Sequence, residues 1–201
     1  MLPAFAEAVR ATTQPCTLLL LIPPLAMAVI TKGRWAPFAA ICVGAVLGGW
    51  LFIANVVALS SAQLRLSGVL VAATIGLVAA APTVPQLAGF AAPSAQTGAA
   101  GGVAFVATLW WRPCAGVELG AILSGARDGL VGQLGGITAY MLGALVPVLA
   151  AALVIRAIDP SDDNTRRASW VAGGIGIATA AALAIGRHDE LVTALTRWST
   201  S

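Results

Sequence analysis

Long apolar runs separated by short charged gaps constrain this chain more than any other feature. Six can be drawn, at about 12–31, 37–59, 67–82, 103–124, 130–155 and 169–186, each rich in Ala, Leu, Val, Ile and Gly. Runs of roughly 20 apolar residues match the hydrocarbon thickness of a bilayer. The charges collect in the connections: Thr31-Lys32-Gly33-Arg34-Trp35, Gln63-Leu64-Arg65, Gly125-Ala126-Arg127-Asp128-Gly129, and the stretch from Arg156 to Arg167 that carries Asp159, Asp162 and Asp163. Only 9% of the 201 residues are charged and 59% are hydrophobic, whereas soluble domains are about one-quarter charged. A soluble core cannot absorb that much apolar surface, so the pattern predicts an all-α integral membrane protein with the lipid bilayer as a partner.

A net charge of +3 is too small to point to nucleic acid. One histidine, His188, and three methionines supply no ligand set for haem or zinc within the membrane, so no cofactor and no metal is expected. Any redox work then falls to the three cysteines. The segment Met1 to Glu7 lacks the basic region of a secretory leader, and the run that follows shows no convincing cleavage site, so the first helix is expected to be retained.

The dipeptide Pro15-Cys16 recurs as Pro113-Cys114, 98 residues later. The same offset carries 37–59 to 135–157 and 67–82 to 165–180, close to the fifth and sixth runs. The chain therefore reads as an internal repeat of three spans. An odd number of spans per copy makes the second copy cross the bilayer in the opposite sense. The expected fold is six transmembrane helices in two inverted three-helix repeats, with helices one and four broken. The first repeat covers 1–86 and the second 103–201, the latter ending in a short interfacial helix with Leu191, Val192, Leu195 and Trp198 on one face. Between them, 87–102 lies in an uncharged stretch of Pro, Gly, Ala, Ser and Gln that reads as a linker. Gly48-Gly49 in helix two and Val146-Pro147 in helix five are matching helix breakers, and paired interruptions point to a central site. The cations do not fix orientation: Lys32, Arg34, Arg156, Arg166 and Arg167 lie on one side, and Arg10, Arg65, Arg127, Arg187 and Arg197 on the other.

Proline lacks a backbone donor and clashes with the preceding turn, which predicts breaks just before Cys16 and again at Pro23-Pro24. A cysteine after such a break lies near the N-terminus of a half-helix, where amide dipoles favour thiolate, the form that attacks disulfides. Cys114 repeats the arrangement with Arg112 before it and Glu118 one turn after it. Arg112 is a candidate to stabilise a thiolate, and Glu118 to accept its proton or pair with Arg112. The competing reading has Arg112 snorkelling beside Trp110 and Trp111 at an interface while Glu118 pairs with a loop charge. Cys42 has no neighbouring proline or charge and reads as a packing residue. Gly44-x-x-x-Gly48, Gly116-x-x-x-Gly120 and Gly132-x-x-x-Gly136 read as close-packing positions inside the protein.

Phe105, the run Trp110-Trp111-Arg112-Pro113-Cys114-Ala115-Gly116, Leu119 to Leu123, and Tyr140-Met141-Leu142-Gly143 with Pro147 together resemble the cytochrome c biogenesis transmembrane family, the CcdA type that also forms the membrane domain of DsbD. The first half is similar mainly through Gln14-Pro15-Cys16 and the prolines downstream. The resemblance implies that Cys16 and Cys114 form a reversible disulfide, supported by Pro15, Pro113, Arg112, Glu118, Gly116 and Pro147. It also implies a thiol–disulfide oxidoreductase-like electron carrier in the plasma (inner) membrane, with both termini outside the cytoplasm. Electrons would pass from cytoplasmic thioredoxin to extracytoplasmic thioredoxin-like proteins that serve cytochrome c maturation. The family usually has a proline three residues after each cysteine, where this chain has Leu19 and Val117. That departure motivates two alternatives: a small-solute or ion transporter on the same scaffold, or a non-catalytic accessory subunit held by other membrane subunits.

Overall fold

The computed structural model describes residues 2–12, 14–53, 60–110, 129–157 and 163–187, and in the tail 190, 193, 194 and 197. Helices and turns make up the described residues, with no strand among them. In chain order they are α1 (Leu2–Ala11), α2 (Pro15–Ile30), α3 (Trp35–Ile53), α4 (Ser61–Ala80), a 3-10 turn (Pro85–Ala91), α5 (Pro93–Leu109), α6 (Gly129–Ala144), α7 (Val146–Ala157) and α8 (Asp163–Ala184).

Local chemistry sets these boundaries. Pro15 and Pro93 open α2 and α5 at the position where a missing amide donor costs nothing. Ser60 and Gln63 form a reciprocal capping box at the start of α4. At the end of α2, Lys32 donates from its backbone to Val29 at 3.0 Å and Gly33 to Ala28 at 2.9 Å. This is the Schellman closure, with Lys32 (φ 55°) in the left-handed position that is usually glycine's. Gly33 is itself left-handed (φ 62°), and a methyl on it would overlap the Ala152 carbonyl oxygen, so the turn is pressed directly onto α7. The same closure ends α8, where Gly186 (φ 80°) bonds to Leu183 and Arg187 to Ala182.

Contacts between named residues fix the direction of each helix. Arg156, near the end of α7, stacks 5.4 Å over the Trp35 ring at the start of α3. Further along, Trp50 Nε1 donates to Thr138 Oγ1 on α6 at 3.0 Å, so α3 runs antiparallel to the α6–α7 pair. Gly68 faces Ala184 and Gly173 faces Ala79, which makes α4 and α8 antiparallel. Arg34, just past α2, reaches Gln96 near the start of α5 at 3.4 Å, so α2 and α5 are antiparallel neighbours as well. α3 and α5 are parallel and form the most extensive pair, with Gly44 against Gly101 and Gly48 against Phe105 and Thr108. α2 lies in the middle, touching α3, α4, α5, α7 and α8. Lys32, Arg34 and Arg156 thus share one end of the bundle, and Arg65 and Arg187 the other. The outer faces are apolar: Leu66, Val69 and Leu70 on α4, Val43 and Leu47 on α3, and Trp170, Val171 and Ile175 on α8 are all exposed.

Several expectations change. α2 runs unbroken through Pro23 and Pro24, because each proline removes one hydrogen bond while its fixed φ remains compatible with the helix, and packing on α5 and α8 holds the rest. α3 is also continuous through Gly48-Gly49; those glycines admit α5 on one side and Ile137 and Met141 of α6 on the other. The break in the fifth run is present: α6 and α7 meet at Leu145 with a bend of 40°. Pro147 cannot donate to the Gly143 carbonyl and crowds it. The stretch read as a linker is structured, with the 3-10 turn followed by a helix that begins at Pro93, ten residues before the expected start. Arg65 lies inside α4. α1 is an added helix; Ala4, Ala8 and Ala11 bury its inner face, and a Cβ at Gly143 would stand 2.6 Å from the Phe5 carbonyl oxygen. Among the described residues, one continuous helix is long and apolar enough to cross a bilayer, Ala62–Ala80 with mean hydropathy 1.6, and the bent α6–α7 pair makes a second if it is taken as one span.

The α3–α5 contact carries a direct test. A methyl on Gly44 meets backbone, which cannot yield, so Gly44→Ala is expected to cost about 2 kcal/mol by overpacking. Gly98→Ala on the open side of α5 is expected to be neutral or stabilising by up to about 1 kcal/mol. Thermal unfolding of the two variants checks the contrast.

Candidate functional site

Two turns of backbone hydrogen bonding lead into Cys16. Gln14 donates to Ala11 at 2.9 Å, closing α1, and then adopts extended backbone (φ −79°, ψ 142°) as the cap of α2. Pro15 follows as the first helical residue, and Thr17 donates to the Gln14 carbonyl at 3.1 Å. Cys16 therefore occupies the first turn of a helix whose cap makes no side-chain hydrogen bond. The expected break before Cys16 is where the chain leaves α1. The side chains of Pro15 and Cys16 are outside the described set, and Arg112, Pro113, Cys114, Gly116 and Glu118 lie wholly outside the described residues.

What the structure does place is the chain on either side of Cys114. α5 ends at Trp110, whose indole Nε1 donates to Ser67 Oγ on α4 at 2.7 Å while the ring is 5% exposed. The height of this contact can be read along the bundle. Gly173 of α8 meets both Ile30 of α2 and Ala79 of α4. From that level, Thr17 lies thirteen helical residues up α2, roughly 20 Å, and Ser67 lies twelve residues up α4, roughly 18 Å. The start of α2 and the end of α5 are thus at one level. Three residues separate Trp110 from Cys114, a reach of about 14 Å when extended.

The 98-residue repeat can be followed in the described helices other than α2. The offset of 98 residues carries α3 onto 133–151 and α4 onto 159–178, matching α6–α7 and α8. Applied to α2 it gives 113–128, outside the described residues; among the described helices α2 packs antiparallel to both α8 and α5. Cys16 lies in the first turn of α2, and Cys114 lies outside the described residues.

Pro147 is half-buried where α6 gives way to α7. The carbonyl it deprives of a donor belongs to Gly143, the residue that receives α1. One proline thus joins the bend in the fifth run to the helix that leads into Cys16. Cys42 is half-buried against the core, as a packing residue would be.

Thr17, Ser67 and Trp110 were not singled out by sequence reasoning. Trp110 carried a signal, a tryptophan at the end of an apolar run, but its partner Ser67 is 43 residues away and only the fold reveals it. No protein-family model, no curated protein and no solved structure matches the chain.

The Trp110–Ser67 bond holds the end of α5. Ser67→Ala leaves the buried indole donor without an acceptor and is expected to cost about 1–3 kcal/mol. In a double-mutant cycle on thermal stability, Ser67→Ala added to Trp110→Phe should cost less than it does in the wild type.

Proposed function

We propose that the chain is a multi-pass membrane carrier of reducing equivalents in which Cys16 and Cys114 alternate between dithiol and disulfide. The observation that carries this reading is the common level of the α2 start, where Cys16 sits, and the α5 end, from which the chain continues through three residues before Cys114. A disulfide needs Cα atoms about 4.4–6.8 Å apart, so the proposal requires the three residues between Trp110 and Cys114 to carry the chain to the start of α2.

The six spans of the proposal are α2, α3, α4, α5, the bent α6–α7 pair and α8. Supporting it, α3 and α4 each pack antiparallel on the counterpart that the 98-residue offset gives in the second half: α3 on α6–α7, and α4 on α8. That is the relation an inverted repeat requires. The exposed apolar faces of α3, α4, α7 and α8 favour a lipid environment, since a monomer in water rarely shows such continuous apolar surface. At one end Trp35 is half exposed beside Arg156, the pairing of aromatic and cation found at headgroup level. The proposal places the protein in the plasma membrane, with the termini outside the cytoplasm.

The chemistry balances as two exchanges. A thiolate of reduced cytoplasmic thioredoxin attacks the Cys16–Cys114 disulfide, forming a mixed disulfide and releasing one cysteine as thiolate. The second thioredoxin thiol then closes its own disulfide, leaving Cys16 and Cys114 as a dithiol that has gained two electrons and two protons. The dithiol next reduces the disulfide of an extracytoplasmic thioredoxin-like protein by the same two steps and returns to the disulfide. In this reading Arg112 stabilises the Cys114 thiolate and Glu118 receives its proton.

Trapping tests the proposal. In a chain lacking Cys42, Cys114→Ala should accumulate a mixed disulfide between Cys16 and a thioredoxin-like protein, and Cys16→Ala one on Cys114. If neither variant yields such an adduct while Cys16,Cys114→Ser leaves solute uptake intact, the scaffold is a transporter. If the double variant instead co-purifies stoichiometrically with a larger complex and growth is unaffected, it is an accessory subunit.

A further inference from the structure

The start of α2 holds a second polar group that nothing in the fold uses. Thr17 is 0% exposed, and its hydroxyl oxygen has no hydrogen-bond partner. An unpaired buried hydroxyl costs free energy that a methyl in the same place would not. It stands apart from other described Ser and Thr hydroxyls. Nine other described Ser and Thr hydroxyls, Thr31, Thr108 and Thr179 among them, bond back to a carbonyl three or four residues earlier. The Thr17 amide donates to the Gln14 carbonyl at 3.1 Å, whereas the Thr17 hydroxyl bonds to no carbonyl. It sits one residue after Cys16, in the first turn, inside the bundle.

We infer that the Thr17 hydroxyl is a positioning donor for a sulfur anion at the start of α2. The anion is either the Cys16 thiolate or the thiolate expelled when Cys16 exchanges with a disulfide. In both cases the hydroxyl, buried away from water, donates to an acceptor present only while thiol chemistry is under way. The cost it carries in the resting fold is then returned as stabilisation of the charged sulfur. This rests on the carrier reading for its purpose. Its test needs neither Cys114 nor a partner protein, so the two can fail separately.

The test uses the full chain with Cys16 as the sole cysteine (Cys42→Ala, Cys114→Ala) and compares Thr17→Val and Thr17→Ser. Iodoacetamide alkylation reads the Cys16 thiolate itself. Exchange with hydroxyethyl disulfide, in which Cys16 sulfur bonds to one half and mercaptoethanol thiolate leaves, also reads the departing sulfur. Thr17→Val should slow the chemistry about five- to tenfold, in keeping with loss of one charge-assisted hydrogen bond, and Thr17→Ser should retain the rate. Slowing of both reactions assigns the hydroxyl to Cys16; slowing of exchange with alkylation unchanged assigns it to the departing sulfur. Thr17→Val should at the same time raise the thermal midpoint, since it removes an unpaired polar atom, and a purely structural hydroxyl would not combine higher stability with slower chemistry. Unchanged rates in Thr17→Val overturn the inference, as does a lower midpoint that accounts for slower rates in both variants.

Discussion

The bundle depends on helix backbones coming close enough for glycine to be obligatory. α3 and α5 touch through Gly44 and Gly101 with no room for a side chain on Gly44, and the turn after α2 meets α7 through Gly33 in the same way. These contacts do more than hold helices together. They set the height of α5 relative to α3, hence the place where Trp110 finds Ser67, and hence the point from which the chain departs toward Cys114. A core so rich in Ala and Gly gains little from large side chains and relies on close dispersion contact and a few interhelical hydrogen bonds.

Proline supplies the opposite element, controlled interruption. Pro15 begins α2 and separates it from α1, while Pro147 bends the fifth run at Leu145. Both interruptions meet through α1, which joins Cys16 at one end and rests on Gly143, one residue from the α6 terminus. Pro23 and Pro24 show that proline by itself does not break a helix: inside α2, packing on both sides keeps the helical path despite the lost bonds. What distinguishes Pro15 is extended backbone at Gln14, which commits the chain to a new helix.

The sequence made the helical segments legible because apolar runs of the right length have few other solutions, and it located the breaks at Pro15 and Val146-Pro147 because proline acts locally. It misread Gly48-Gly49 as a break, since glycine's meaning depends on a neighbour: here Phe105 and Thr108 on one side and Ile137 on the other. The uncharged stretch before residue 103 was read as a linker from composition, yet packing on α3 makes it the first turns of α5. An offset between two identical dipeptides proved a good guide to the pairs α3 with α6–α7 and α4 with α8. Thr17 was invisible for a different reason. A hydroxyl without a partner is a statement about everything around it, and only the fold contains that.

The most direct measurement of the central claim is the redox state of Cys16 and Cys114 in the membrane, read in a Cys42→Ala chain by acid quench and maleimide–polyethylene glycol mass shift. The account predicts two adducts after reduction, none after mild oxidation, and a return to two when reduced thioredoxin is supplied. Two adducts that persist after oxidation would contradict it, because Cys16 and Cys114 would then never pair.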